Sequence, residues 1–483
     1  MFFNSIEYAL FLPLVFFAYW LIGANRVRLQ NALLLISSYF FYSFWDWRFL
    51  FLLAFSTILD FYSGLRMQDC KNLRTKRLWF WLSIVVNLGL LMVFKYYDFF
   101  VDSFSDLLGS FGLKVQCSTL NLILPVGISF YTFHGVSYVI DVYKGRIEAE
   151  RNFIDYSVFV SFFPLLVAGP IERATHLLPQ IKRSRSFNRN QAVNGLRQIL
   201  WGLFKKIVIA DNCAIYANEA FNNSPELSGS TLLVGAIFFA FQIYGDFSGY
   251  SDIALGTARL FGIELLKNFS FPYFSRDIAE FWRRWHISLS SWFRDYLYIP
   301  LGGNAGKVST RVRNTFIIFL VSGFWHGANW TFIIWGALNA LYFLPLLLLG
   351  KNRNHIEIVA AGKWLPSFSE LLKIAITFLL TVFAWIFFRS NTLVQALEFI
   401  NGVFSFSLFS MPKFQDYSGF IYTLVLLVFF NAIEWLGRSG DYAISALFIH
   451  RHRVLRWSFY AFLIFLIGMY IPSVETPFIY FQF

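Results

Sequence analysis

The sequence predicts an all-α, polytopic membrane protein. Three observations carry that expectation. Hydrophobic residues make up 57% of the 483-residue chain and charged residues only 14%, against about half and about a quarter in soluble domains. The apolar residues gather into long runs separated by short basic loops. Phe, Tyr and Trp together reach 21%, which in water would expose large apolar patches. The composition excludes a disordered chain, a secreted disulfide scaffold and a single-span receptor. Cys70, Cys117 and Cys213 show neither metal-ligand nor redox spacing, so no metal site is expected.

A helix needs roughly 20 apolar residues to cross a hydrocarbon core. Candidate spans are Ile6–Gly23, Asn31–Trp45, Arg48–Leu65, Leu78–Phe94, Leu120–Ile140, Ala192–Ala217, Thr231–Phe247, Leu371–Phe388, Gly419–Leu436 and Trp457–Ile471. With Thr315–Leu349, which is long enough for two passes, this gives about 10–12 transmembrane helices. Several spans are short, which implies a locally thinned bilayer. The first run carries Glu7 and no basic leader, and Arg26 and Arg28 follow it. It reads as a retained span rather than a removable signal.

The net charge of +12 reads first as Lys and Arg in cytoplasmic loops. Arg26 and Arg28 follow the first span, Arg66 to Arg77 the third, and Lys144, Arg146 and Arg151 the fifth. The N-terminus then falls outside, as does a loop carrying Asp98, Asp102, Asp106 and Lys114. Two stretches begin and end beside basic residues. Phe153–Gly169 is expected to be a re-entrant element, and Thr315–Leu349 to enter and return as a hairpin. Arg438, Arg451, Arg453 and Arg456 fall inside and the C-terminus outside.

Three segments carry polar chemistry. Arg276–Leu297 places Ile278, Phe281, Trp282, Trp285, Leu289, Trp292, Phe293 and Tyr296 at helical spacing. It reads as one interfacial helix on the cytoplasmic side, with His286 at the stripe's edge towards Arg283 and Arg294. Such a helix suits an anionic ligand or simply anionic lipid. In Ser322–Trp330, His326 stands almost alone among ionisable groups, between Gly323 and Gly327. An ionisable residue within a membrane segment is a functional candidate, and the alternative is a histidine bonded between helices. In Phe241–Gly256, Gln242, Asp246, Ser248, Tyr250, Ser251 and Asp252 crowd one end of a span. They line a cavity or bind one another. His134, His176, His355, His450 and His452 read as structural, and Asp60 and Lys95 as snorkelling at span edges. An isolated imidazole without metal partners points to acid–base or acyl-transfer chemistry, and nothing points to nucleic acid. A transporter is also open at this level.

These segments together resemble the membrane-bound O-acyltransferase superfamily. More narrowly they resemble its bacterial branch for alginate O-acetylation. The matching pieces are Pro125–Gly145, Phe162–Arg173, Phe241–Gly256, Phe281–Asn304, Gly323–Gly336 and the ending Pro477–Phe483. The resemblance implies one membrane domain over 1–483: N-terminal helices 6–140, a re-entrant element 153–169, a catalytic core 192–349 and C-terminal helices 371–483. It implies a ring of helices with a thin centre, a cytoplasmic tunnel and an outer funnel meeting at the catalytic His326, with His286 as the second family histidine. It further implies acetyl-CoA as donor, no bound cofactor, and a periplasmic acetyltransferase partner that modifies an exported polysaccharide. The protein would sit in the bacterial inner membrane with both termini periplasmic. Charge and side then offer Arg283, Arg284, Arg294, Lys307 and Arg311 for the donor's phosphates, and Asn329 for an oxyanion. Asp246 and Tyr250 are further candidates for substrate binding. The alternatives are a D-alanyl transferase of the teichoic acid type using a carrier protein, or a polysaccharide exporter or scaffold.

Overall fold

The computed structural model describes residues 1–113, 118–167, 169–447, 452–472 and 478–479. Among the described residues every regular element is helical. The chain forms two compact units, Met1–Val193 with Thr257–Leu266, and Asn194–Gly256 with Lys267–Phe483.

The first unit carries α1 (Ile6–Ile22), α2 (Val27–Asp46), α3 (Phe49–Asp69), α4 (Leu73–Leu91), α5 (Tyr97–Ser110), α6 (Ile128–Tyr143), α7 (Phe153–Ser161), α8 (Phe163–Leu166) and α9 (Ala174–Lys182). The Ser5 hydroxyl caps α1 by accepting the Tyr8 N–H, and Gly23 ends it at φ 82°. α4 continues through a π-helical stretch, Met92–Tyr96, into α5. Asp98, Asp102 and Asp106 are therefore helical, and the loop expected there is not found. Asp98 accepts the N–H groups of Leu120 at 2.8 Å and Asn121 at 3.0 Å. That clamp holds the following chain irregular, so α6 starts at Ile128 rather than Leu120. Lys114 and Cys117 lie outside the described residues.

Asp60 does not snorkel. It is buried within α3, where Ser83 Oγ donates at 2.5 Å and Asn87 Nδ2 at 2.7 Å. Burial is tolerated because the carboxyl finds donors on α4. α7 has nine residues, seven of them buried, and α8 four, all buried. At about 1.5 Å per residue neither is long enough to cross a membrane.

The chain continues with α10 (Arg189–Leu203), α11 (Asp211–Asn222), α12 (Gly229–Leu260), α13 (Ile278–Arg284) and α14 (Ile287–Phe293). Then come α15 (Val308–His326), α16 (Trp330–Leu348), α17 (Phe368–Arg389), α18 (Leu393–Val403), α19 (Tyr417–Gly437) and α20 (Arg453–Tyr470). Seven helical runs among the described residues are long and apolar enough to cross a membrane: α3, α4 with α5, α12, α16, α17, α19 and α20. α10 runs into α11 through a π-helical stretch, Phe204–Ala210.

α15 and α16 form the expected hairpin, joined by three residues. Glycine makes the close packing possible. A Cβ on Gly323 would collide with the Phe332 carbonyl, and one on Gly336 with the Phe319 carbonyl.

The single interfacial helix expected over Arg276–Leu297 is not formed. The chain breaks into α13 and α14, with Trp285 extended (φ −101°, ψ 129°) and His286 left-handed (φ 43°, ψ 54°). A short π-helical stretch, Arg294–Tyr298, follows. Phe281, Trp285, Leu289 and Phe293 are buried in the unit rather than laid on lipid.

Candidate active site

His326 is the last residue of α15, and the extended Gly327 follows it. A Cβ at Gly327 would strike the Phe332 ring, so glycine lets the turn tuck the imidazole inside. The ring is 3% exposed. It meets Trp335 of α16 edge-on at 5.2 Å, Phe388 of α17 at 5.4 Å and Trp325 at 4.9 Å between centroids. His286 stands 6.3 Å away. It contacts Phe247 of α12 at 4.7 Å and Trp325 at 5.9 Å. The two histidines that lay forty residues apart in sequence thus share one aromatic chamber.

His286 is not at a stripe edge facing Arg283 and Arg294. The left-handed backbone rotates it inward to full burial. Neither of its ring nitrogens has a hydrogen-bond partner among the described residues. It lies outside any spanning segment, and burial pushes its pKa down to about 3, so the ring is neutral at physiological pH. Asn268 fixes the break. Its carbonyl accepts Ile287 N–H at 2.9 Å, its Oδ1 accepts Ser288 Oγ–H at 2.6 Å, and its Nδ2 donates to Ser251 of α12 at 3.0 Å.

The left-handed residue separates two roles experimentally. His286→Gly removes the ring and keeps the backbone relaxed, whereas His286→Ala removes the ring and strains it by about 1–2 kcal/mol. The glycine variant is expected to melt above the alanine variant, with both impaired in acyl transfer. A thermal-shift comparison alongside a transfer assay checks this.

The α12 polar residues bond to partners on other segments rather than to one another, and Ser248, Ser251 and Asp252 line a small cavity. Asp252 pairs with Lys205 at 2.6 Å and accepts Gln198 Nε2 at 2.7 Å. Lys205 also donates to Ser248 at 2.9 Å. Asp246 pairs with Lys206 at 2.8 Å and accepts the Ile479 N–H at 2.6 Å. The Tyr250 ring packs on Phe478 at 4.5 Å. Asp246 and Tyr250 therefore hold the chain near its end against α12. Lys205, Lys206 and Glu434 escaped the sequence reading. Glu434 accepts from Trp201 Nε1 at 3.2 Å and Tyr244 OH at 2.7 Å. Ionisable residues inside apolar runs were the available signal.

A cavity of about 650 Å³ opens beside the chamber, within the size range of small-molecule sites. Arg283, Arg294 and Arg353 line it together with Ser290, Tyr298 and Trp282. Trp282 packs on Trp335 at 5.6 Å, and Trp335 packs on His326, so two rings separate cavity and imidazole. Arg283 donates to the carbonyls of Asn352 and His355 at 2.7 and 2.8 Å. Arg294 is largely exposed, and its side chain donates to Asp295 at 2.8 Å. Arg284 turns away, paired with buried Glu280 at 2.8 Å. Lys307 precedes α15 as its cap residue and does not line the cavity. Arg311 lies one turn further along α15 and is half-buried. Asn329 caps α16 through Thr331 N–H and donates Nδ2 to the Asn391 carbonyl at 2.8 Å. Its placement is that of a clamp on the hairpin turn. Arg353 was missed because it falls in a loop after the second hairpin arm.

A multi-helix membrane protein with a buried histidine at a hairpin turn, beside a cationic cavity, has the build of a membrane acyltransferase. Residues 148–367, which hold both histidines, match the model of the membrane-bound O-acyltransferase family. A probable alginate O-acetylase of Pseudomonas aeruginosa is 41% identical over 412 residues, covering 85% of this chain and 76% of its own. A peptidoglycan O-acetyltransferase of Helicobacter pylori is 38% identical, covering 81% and 77%. A teichoic acid D-alanyltransferase of Bacillus subtilis is 28% identical, covering 56% and 70%. The chain belongs to the membrane-bound O-acyltransferase family, in its alginate O-acetylation branch. It is a multi-pass membrane O-acyltransferase.

Proposed function

We propose that this protein carries an acetyl group from acetyl-CoA across the bacterial inner membrane to a periplasmic partner that O-acetylates an exported, alginate-like polysaccharide. The observation that carries the reading is the pairing of His326 and His286 in a closed aromatic chamber beside an arginine-lined cavity. Arg294 and Arg353 offer cationic N–H donors for the phosphates of a nucleotide thioester. The apolar wall suits the pantetheine arm. Both termini lie on the periplasmic side, as the loop charges favour.

In the reaction, neutral His326 takes the proton from an acceptor hydroxyl as its oxygen attacks the thioester carbonyl. The C–S bond then breaks, and the imidazolium returns the proton to the departing thiolate. His286 shapes the chamber and orients the donor. The aromatic walls exclude water, which limits hydrolysis of the thioester.

Two measurements test this. Radiolabel supplied as acetyl-CoA is expected to reach the acceptor, while D-alanine on its carrier protein transfers nothing; the reverse result would move the chain to the teichoic acid reading. Arg294→Ala with Arg353→Ala is expected to raise KM for acetyl-CoA about tenfold, equivalent to roughly 1.4 kcal/mol, with kcat nearly unchanged. A fall in kcat at constant KM would contradict the donor-site assignment.

A further inference from the structure

The segment between α17 and α19 has its polarity reversed. Phe406 is 98% exposed, Phe409 89%, Met411 81% and Phe404 72%. The serines between them bond within the protein. Ser407 Oγ accepts the Gly229 N–H at the start of α12 at 2.8 Å, and Ser410 Oγ bonds Ser230 Oγ at 3.2 Å. Ser405 Oγ bonds Ser407 Oγ at 2.6 Å. Gly229 permits the approach, since a Cβ there would meet the Gly402 carbonyl. Serine hydroxyls thus tie the loop to α12 while its phenylalanines project outward one by one.

The chain path favours one medium for those side chains. α17 and α19 are each long enough to cross a membrane, so residues 390–416 leave and re-enter at the same surface. α18 has 11 residues, too short to cross at about 1.5 Å per residue. It buries Ala396, Phe399 and Val403 and exposes Val394 and Leu397 beside Glu398 and Asn401. The spanning helices α17 and α19 on either side also expose apolar side chains, with Leu379 and Leu380 on one and Ile421 and Tyr422 on the other. The Asn329 bond to the Asn391 carbonyl joins the start of the segment to the turn that follows His326.

We infer that residues 393–411 are an interfacial anchor, inserted into the headgroup and upper acyl region of the leaflet on the His326-turn side, which fixes the depth of that turn. Aromatic side chains on a short amphipathic element at a span end suit that region. A flat or grooved protein-docking face would gather the rings together, whereas none of these four side chains stacks on another ring among the described residues.

The test is spin-label accessibility in lipid nanodiscs on the full chain with Cys70, Cys117 and Cys213 replaced by Ala. Labels are placed through Phe406→Cys, Phe409→Cys and, as the water-exposed reference in the polar loop between α3 and α4, Lys71→Cys. The labels at 406 and 409 are expected to collide with a water-soluble nickel chelate about tenfold less than the label at 71 while remaining open to oxygen, as apolar depth requires. Equal chelate collision at 71, 406 and 409 would overturn the anchor. Chelate protection that arises only when a periplasmic partner is added would overturn it in favour of protein docking. Acetyl transfer measured on each labelled variant reports that the fold is intact.

Discussion

Replacing His326 with Ala is expected to lower acetyl transfer by about 10²–10⁴-fold, the worth of a positioned base, while the protein still folds. His326 touches Trp325, Trp335 and Phe388 through ring edges, so its removal leaves a small cavity among rings that hold one another. Trp335 and Trp385 remain stacked at 5.6 Å, and Trp385 and Phe388 remain edge-on at 5.0 Å. Size-exclusion behaviour and melting close to those of the parent, with transfer lost, is the predicted pair of results. Donor binding should survive, because the cavity arginines lie beyond Trp282. Transfer at the parental rate in His326→Ala at equal abundance would remove the imidazole from the mechanism. His326→Gln, which keeps volume but offers no base at neutral pH, should be as inactive as the alanine variant.

Lys206→Met is expected to cost roughly 3–5 kcal/mol in stability, the range for stripping one partner from a buried ion pair. Lys206 is buried and lies 2.8 Å from Asp246 and 2.9 Å from Asp211. Without it two carboxylates remain in an apolar helix assembly with no cation on that side chain. The loss should appear as a lower melting temperature and a lower yield in membranes. Asp246 also accepts the Ile479 N–H, so the damage should spread to residues 478–479 packed on α12. Adding Asp246→Leu and Asp211→Leu to Lys206→Met should recover part of the stability, since apolar replacement of a whole buried pair is near neutral. A single variant as stable as the parent would show that the cluster is hydrated rather than sealed. The π-helical turn at Phe204–Ala210 is what brings the consecutive Lys205 and Lys206 to one buried side, and such turns recur at functional positions.

Composition and loop charge determined the membrane class, most helix positions and the hairpin ending in His326. These are bulk properties: apolar length measures the bilayer, and a lone imidazole between glycines in an apolar run has few structural excuses. His326 was legible as a candidate for that reason, and His286 through its place in a motif shared with the family. The surroundings of His286 were not. Helical periodicity assumes one backbone conformation throughout, and a single left-handed residue, held by Asn268 from a distant part of the chain, turns the ring from a surface edge to the interior. The partners of Asp246 and Asp252 were hidden likewise, because Lys205 and Lys206 lie some forty residues earlier and only the packing of α10 and α11 on α12 brings them into range. The chain alone set which residues prefer lipid and which are costly there. Tertiary structure decided which costly residues neutralise one another, because pairing depends on distances of about 3 Å that no local pattern encodes. It also left the two histidines, rather than the carboxylates, facing each other in the chamber.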